Sequence, residues 1–243
     1  MISKSQVKYI QSLGQKKYRD SERVFVAEGP RLVSDLLKSE NAVVTHLYAV
    51  GDWLADNSRL LNGIHTSEVL DRELESMSQL KTPNRVIAIV KKFENEEPVV
   101  RGNISLVLDT IQDPGNLGTI IRIADWFGIN QIVCSNDSAD MYNSKVVQAT
   151  MGSIARVNVY YTELNKWMEQ HGEVRVYATM LEGKDVTKMS AIKEGLIIIG
   201  NEAKGIDDRL LQFANEKITI PKRGKADSLN AAVSAGIVLA CLV

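Results

Sequence analysis

Cysteine and histidine are both scarce, with two of the first and three of the second in 243 residues. Cys134 and Cys241 each lie within an apolar run, so buried thiols in a reducing compartment are expected rather than a disulfide. His46, His65 and His171 are scattered, no metal-ligand spacing forms, and no metal is expected. The opening MISKSQVKYI lacks the apolar core of a signal peptide, and no apolar run reaches membrane-spanning length. A cytoplasmic protein with no membrane partner is therefore expected. Net charge is also missing: 29 Lys and Arg against 30 Asp and Glu leave −1. That excludes a polycation as a whole but not a local basic patch. Internal repeats and low-complexity segments are absent too.

What is present is an ordinary globular composition, 44% apolar and 24% charged, at a length that suits one large domain or two modest ones. The spacing of Val7, Ile10 and Leu13 predicts a helix over 3–13. VFVAE, AVVTHLYAV (42–50) and RVIAIVKKF (85–93) read as strands. A helix opening at Gly29 and Pro30 and a capped helix over 67–77 lie between them. These elements describe a small α/β domain over 1–97. Its first 31 residues carry Lys4, Lys8, Lys16, Lys17, Arg19, Arg23 and Arg31 against Asp20, Glu22 and Glu28, a basic excess that allows RNA without demanding it. Tyr18 and Phe25 are candidates for base contact or for the core.

The polar, acidic ENEEPVVRGN (94–103) marks a boundary. Beyond it, ISLVLD (104–109), QIVCS (131–135), ARVNVY (155–160), VRVYAT (174–179), LIIIG (196–200) and KITI (217–220) form six strand candidates, most of them separated by helical patterns. Continuous rather than alternating apolar strands between helices imply a parallel sheet covered on both faces. The last apolar run predicts a helix from Asp227 or Ser228 to the end.

In such a sheet the ligand site lies in the loops beyond the carboxyl ends of the strands. Three of those loops are unusual: NLGTIIRIADWFG (116–128), GNEAKGI (200–206) and IPKRGKADSLN (220–230). Asn116 can cap the first helix, and Arg122 has Asp125 three positions on as a candidate ion partner. No Gly-x-Gly-x-x-Gly follows the first strand, and neither a P-loop, a nucleophile elbow nor a His-Glu-x-x-His helix occurs. A dinucleotide-binding Rossmann domain and the ordinary class of methyltransferase are disfavoured.

On these motifs the region 103–243 resembles the SpoU or TrmH branch of the knotted SPOUT methyltransferases, and residues 1–97 more loosely resemble the L30e-like RNA-binding domain that many members carry. The resemblance implies an α/β fold with a carboxy-terminal trefoil knot. It further implies a homodimer, S-adenosyl-L-methionine as cofactor, and methyl transfer to a ribose 2'-hydroxyl in tRNA or rRNA. It places Arg122, Asn116, Glu202, Ser228 and Asn230 at the catalytic centre. The cofactor falls to Thr179, Met180, Gly200, Asn201, Gly205, Ile220, Ser228 and Leu229. For RNA, Lys16, Lys17, Arg19, Arg23 and Arg31 are expected from the small domain, with Lys145, Lys222, Arg223 and Lys225 from the large one. Where relatives show Arg-Ala-Ser-x-Gly, Gln148 takes the arginine place and Thr150 the serine place. Trp126 and Phe127 are interface candidates. An arginine guanidinium stays protonated up to a pH of about 12, so electrostatic stabilisation suits Arg122 better than a base role. An RNA-binding or ribosome-assembly protein on the same fold, without transferase activity, is the alternative.

Overall fold

The computed structural model describes residues 2–201 and 203–243. In chain order the elements are α1 (Lys4–Ser12), α2 (Lys16–Glu22), β1 (Val24–Glu28), α3 (Pro30–Lys38), β2 (Val44–Ala49), α4 (Gly51–Asp56), β3 (His65–Glu68), α5 (Asp71–Met77) and β4 (Val86–Lys91). There follow β5 (Ile104–Leu108), α6 (Pro114–Trp126), β6 (Gln131–Ser135), α7 (Ser144–Thr150), β7 (Asn158–Thr162) and α8 (Leu164–Gln170). The chain ends with β8 (Val176–Asp185), β9 (Gly195–Ile199), α9 (Asp208–Leu211), β10 (Glu216–Thr219) and α10 (Ala231–Leu242).

Two compact units form, residues 1–94 with 140–155, and residues 95–139 with 156–243. The first carries a four-stranded sheet in the order β1-β4-β2-β3, antiparallel except for the β2–β3 pair. β1 and most of β4 are buried, and Ile10, Leu13, Leu74 and Met77 from α1 and α5 close one core over Val24, Val26, Ile87 and Ile89. α1 begins with reciprocal caps: the Gln6 amide donates to Ser3 Oγ, and the Ser3 amide to Gln6 Oε1 at 3.0 Å.

Residues 140–155, although they follow β5, α6 and β6 in the chain, belong to this first unit. Arg19 donates to Asp140 at 2.6 Å, the Phe93 amide to the Tyr142 hydroxyl at 3.0 Å, Gln148 Nε2 to the Glu28 carbonyl at 2.8 Å and Asn41 Nδ2 to the Ala155 carbonyl at 3.1 Å. Tyr142 also packs beside Phe25, ring centroids 5.1 Å apart. The helical pattern of NSKVVQATMG (143–152), observed as α7, carries no information on which core receives it. Other differences are local. The stretch 67–77 splits into β3 and α5, because Glu73 reaches back to accept from the Leu70 amide and so fixes the helix start after it.

The second unit holds six parallel strands in the order β10-β8-β9-β5-β6-β7. Alternate residues Val107, Val133, Ala178 and Ile198 face a core completed by Leu164, Trp167 and Met168 of α8. The opposite set, Leu106, Leu108, Ile132 and Ile197, is equally buried. Burial on both faces is what the continuous apolar runs required. Cys134 is buried in β6, where burial pushes its thiol pKa up, and both cysteines are free. α10 packs against α6 and β9, with Ala231, Ala232 and Ala235 buried.

Candidate functional site

The three unusual loops sit where parallel strands end. After β5, the Asp113 side chain accepts from the Asn116 amide at 2.8 Å, so Asp113 and not Asn116 caps α6. Pro114 follows at the first helical position, where its missing N–H costs nothing. Freed from capping, the Asn116 side-chain oxygen accepts from Asn230 Nδ2 at 2.8 Å. Asn230 in turn caps α10, its own oxygen accepting from the Ala232 and Val233 amides at 3.0 and 3.2 Å. The last helix therefore starts at Ala231, later than the apolar run suggested. Asn230 holds the first loop to the third.

The second loop is closed on itself. The Asn201 and Gly205 amides each donate to the other's carbonyl at 2.9 Å, and Asn201 Oδ1 accepts from the Ala203 and Lys204 amides. Asn201 Nδ2 donates to the Thr110 carbonyl at 2.8 Å, and the Asp207 amide to Asp109 Oδ2, also at 2.8 Å. A side chain at Gly200 would bring its Cβ 2.5 Å from the Gly205 carbonyl carbon, so only glycine allows this turn to fold back. Gly205 itself has φ +71°. Arg209 and its own amide hold the Asp207 carboxyl at about 2. Beside the turn a cleft of about 280 Å³ opens at the ends of β5 and β6, with Asp109, Gln112, Asp137 and Lys204 on its wall. Asp109, Asp113 and Asp207 are not among the expected site residues; the D-x-x-x-D-P spacing before Asn116 was a signal for the first two and not for Asp207.

A third arrangement concerns β8. Ala178 pairs with Lys217 and Lys184 with the next residue, Ile218, so residues 179–183 leave the ladder as an excursion. Thr179 Oγ1 donates to the Ile198 carbonyl at 2.8 Å, and Thr219 Oγ1 to the Leu181 carbonyl at 3.0 Å, tying the excursion to β9 and β10. Gly183 is required there, since a Cβ would stand 2.6 Å from the Lys217 carbonyl oxygen. Leu181 is 74% exposed and Leu229 45%. Exposed leucines beside the irregular 220–230 backbone, whose groups are not used by a strand, supply apolar and hydrogen-bonding surface together.

The remaining candidates are placed as follows. Arg122 is exposed on α6 and forms no salt bridge among the described residues. Asp125 does not pair with it; that carboxylate takes a two-pronged bond from Arg156, at 3.0 and 2.7 Å to Oδ2. Arg122 lies six residues from Asn116, about a third of a turn around the helix, but four from Trp126 and thus on its face. Ser228 is exposed, and Glu202 lies outside the described residues. Lys16, Lys17, Arg23, Arg31, Lys145, Lys222, Arg223 and Lys225 are all exposed. Arg19 is not: at 2% exposure it donates to the Leu13 and Gly14 carbonyls and to Asp140, and so has no guanidinium to offer a ligand. Phe25 is likewise buried, and Gln148 and Thr150 spend their side chains on the Glu28 and Val147 carbonyls. Among the described residues no cluster of His, Cys, Asp or Glu is arranged to hold a metal, and no helix is long and apolar enough to cross a membrane.

A parallel α/β domain whose motif loops lie at the carboxyl ends of its strands, with asparagines joining the first loop to the last helix, defines a class of α/β proteins that bind ligands beyond their strand ends. Within that class the chain belongs to the SpoU rRNA methylase family, whose sequence profile matches residues 103–240. Residues 4–88 match the MRM3-like substrate binding domain. The chain is 32% identical to the 23S rRNA (guanosine(2553)-2'-O)-methyltransferase RlmP of Bacillus subtilis, over 96% of its own length and 94% of that protein. It is 27% identical to the 23S rRNA (uridine(2479)-2'-O)-methyltransferase of Streptomyces viridochromogenes, over 93% and 85% of the two chains. Among solved structures, the AdoMet-bound rRNA methyltransferase from Sinorhizobium meliloti superposes with a TM-score of 0.86 at 30% identity, covering 99% of this chain and 95% of that one.

Proposed function

We propose that this chain transfers the methyl group of S-adenosylmethionine to a ribose 2'-hydroxyl of ribosomal RNA. Family membership and the two curated relatives support the reaction class, and the observation that carries the site is the 2.8 Å contact between Asn116 and Asn230. It joins the first and last motifs at the carboxyl end of the sheet, where a ligand would be held.

When bound, the cofactor supplies a sulfonium methyl open to attack. The excursion 179–183, the turn at Gly200 and the backbone from Ile220 to Leu229 hold it by main-chain groups and by the exposed Leu181 and Leu229. Asn116 and Asn230 are positioning residues, since their side chains are committed to one another and to the α10 cap. Arg122 donates to the substrate, stabilising charge that develops on the ribose oxygen. Ser228 stands beside the cap with its hydroxyl in solvent, ready for the same ribose. Glu202 completes the second motif as a carboxylate for orientation. Lys16, Lys17, Arg23, Arg31 and Lys145, all in the first unit, take RNA phosphates, and Lys222, Arg223 and Lys225 do so beside the methyl donor.

Two further features belong to this reading. A tail passing through the preceding loop gives the knot, and a homodimer covers Trp126, which at 84% exposure is an unusual surface residue on the Arg122 face. The cytoplasm, where ribosomal RNA is modified in bacteria, is the compartment that fits.

The test is transfer of labelled methyl from S-adenosylmethionine to unmodified 23S rRNA, with tRNA as comparison, followed by mapping of alkali-resistant ribose positions. One resistant position in rRNA is expected. Label on a base, or none in any RNA, would overturn the reading.

A further inference from the structure

In the first unit a row of rings lies at the edge of the sheet, and methyl transfer makes no use of it. Parallel pairing of β2 with β3 sets His46 beside His65 and Tyr48 beside Ser67. The two-residue period of a strand turns all four side chains to one face. His46 stacks on Tyr48 with centroids 4.1 Å apart and 14° between planes. His65 approaches the same imidazole at 4.2 Å, tilted by 45°. The His46 Nε2 and the Ser67 hydroxyl lie 3.0 Å apart, a hydrogen bond that fixes the middle ring.

Burial falls along the row, from Tyr48 in the core through a half-buried His46 to an exposed His65. Core packing explains the first two rings and not the third. β3 is also the outer strand of its sheet, so its outward amide and carbonyl groups have no strand to pair with. Charge is not what His46 offers, since burial, then the neighbouring His65, lower its pKa and favour the neutral ring. An aromatic face bordered by open backbone groups suits an unpaired nucleobase, which stacks by its plane and bonds by its edge.

We infer that His65, backed by His46 and Tyr48, is a stacking platform for an unpaired base of the substrate RNA, away from the methylated nucleotide. The inference rests on RNA being the substrate. It adds a recognition site that depends on ring planes, beside the lysines and arginines that take the backbone.

The full chain and its His65→Ala, His65→Phe and His65→Lys variants are titrated against a fluorescein-labelled, unstructured oligoadenylate at physiological salt, with methyl transfer to 23S rRNA by the parent chain measured in parallel. Loss of a stacked base raises the Kd about tenfold in His65→Ala, whereas His65→Phe stays within about twofold and His65→Lys does not recover it. Unchanged binding in His65→Ala, recovery by lysine, or no binding of oligoadenylate by the parent chain would each overturn the platform. Failure of the parent chain to methylate any RNA would instead overturn the functional reading beneath it. Unaltered thermal unfolding of the variants, expected for an exposed position, separates either result from misfolding.

Discussion

Arg19 in the first unit and Arg122 in the second show two ways of spending the same side chain. Arg19 is buried, saturates two carbonyls and pairs with Asp140, so that α2 and the segment 140–155 are held to one core. Arg122 projects from α6 into solvent, four residues from an exposed tryptophan, with Asp125 committed to Arg156. A buried arginine maintains the fold at a desolvation cost, and an exposed one keeps its guanidinium donors in solvent. Local basic charge in a sequence does not distinguish them; partners do.

The difference can be broken in order of effect. Arg122→Ala should lower kcat by about a hundredfold to a thousandfold, as loss of a transition-state donor does, with S-adenosylmethionine affinity and melting temperature unchanged. Single-turnover methyl transfer measures it, and a fall smaller than tenfold would remove Arg122 from the reaction. Arg19→Ala should do the reverse, costing about 3 kcal/mol in urea unfolding because Asp140 is left without its partner. If RNA affinity fell while stability held, the assignment of the two arginines would have to be exchanged. Gly200→Ala forces its Cβ onto the Gly205 backbone, and a cost of about 2 kcal/mol is expected with weaker cofactor binding by calorimetry. The smallest change is the most selective. Asn230→Ala removes a cap worth about 1 kcal/mol, whereas Asn230→Asp keeps the cap but cannot donate to Asn116. Activity lost in the aspartate variant at nearly native stability would show that the bridge between the motifs matters for catalysis and not only for folding.

The parallel sheet was legible because burial on both faces writes itself into short apolar runs such as LIIIG; all six runs fell on strands, but β8 continues to Asp185, six residues beyond the expected end at Thr179. ARVNVY was displaced, its strand beginning at Asn158, because Ser153–Ala155 forms a tight helical turn before it. The strand-end loops were legible as motifs, but their internal wiring was not. Nothing in the spacing of Asn116 and Asn230, 114 residues apart, says that they touch. The small residues of α10 are not all packed alike: Ala231, Ala232 and Ala235 are buried, but a Cβ at Gly236 would meet only Ile123 Cδ1 at an ordinary 3.5 Å. Gly236→Ala is therefore compatible with the packing.

The return of residues 140–155 to the first unit has a consequence for how the protein is made. Most of that unit is translated before residue 95, yet Asp140, Tyr142 and Gln148, which complete its core and its hydrogen bonds, reach it some fifty residues later. On the ribosome the first unit must wait, with Arg19 and the face of Phe25 uncovered, while β5, α6 and β6 emerge. Its final closure thus comes after the second unit has begun, so the nascent chain has no stage at which the first domain is finished and the other not yet begun.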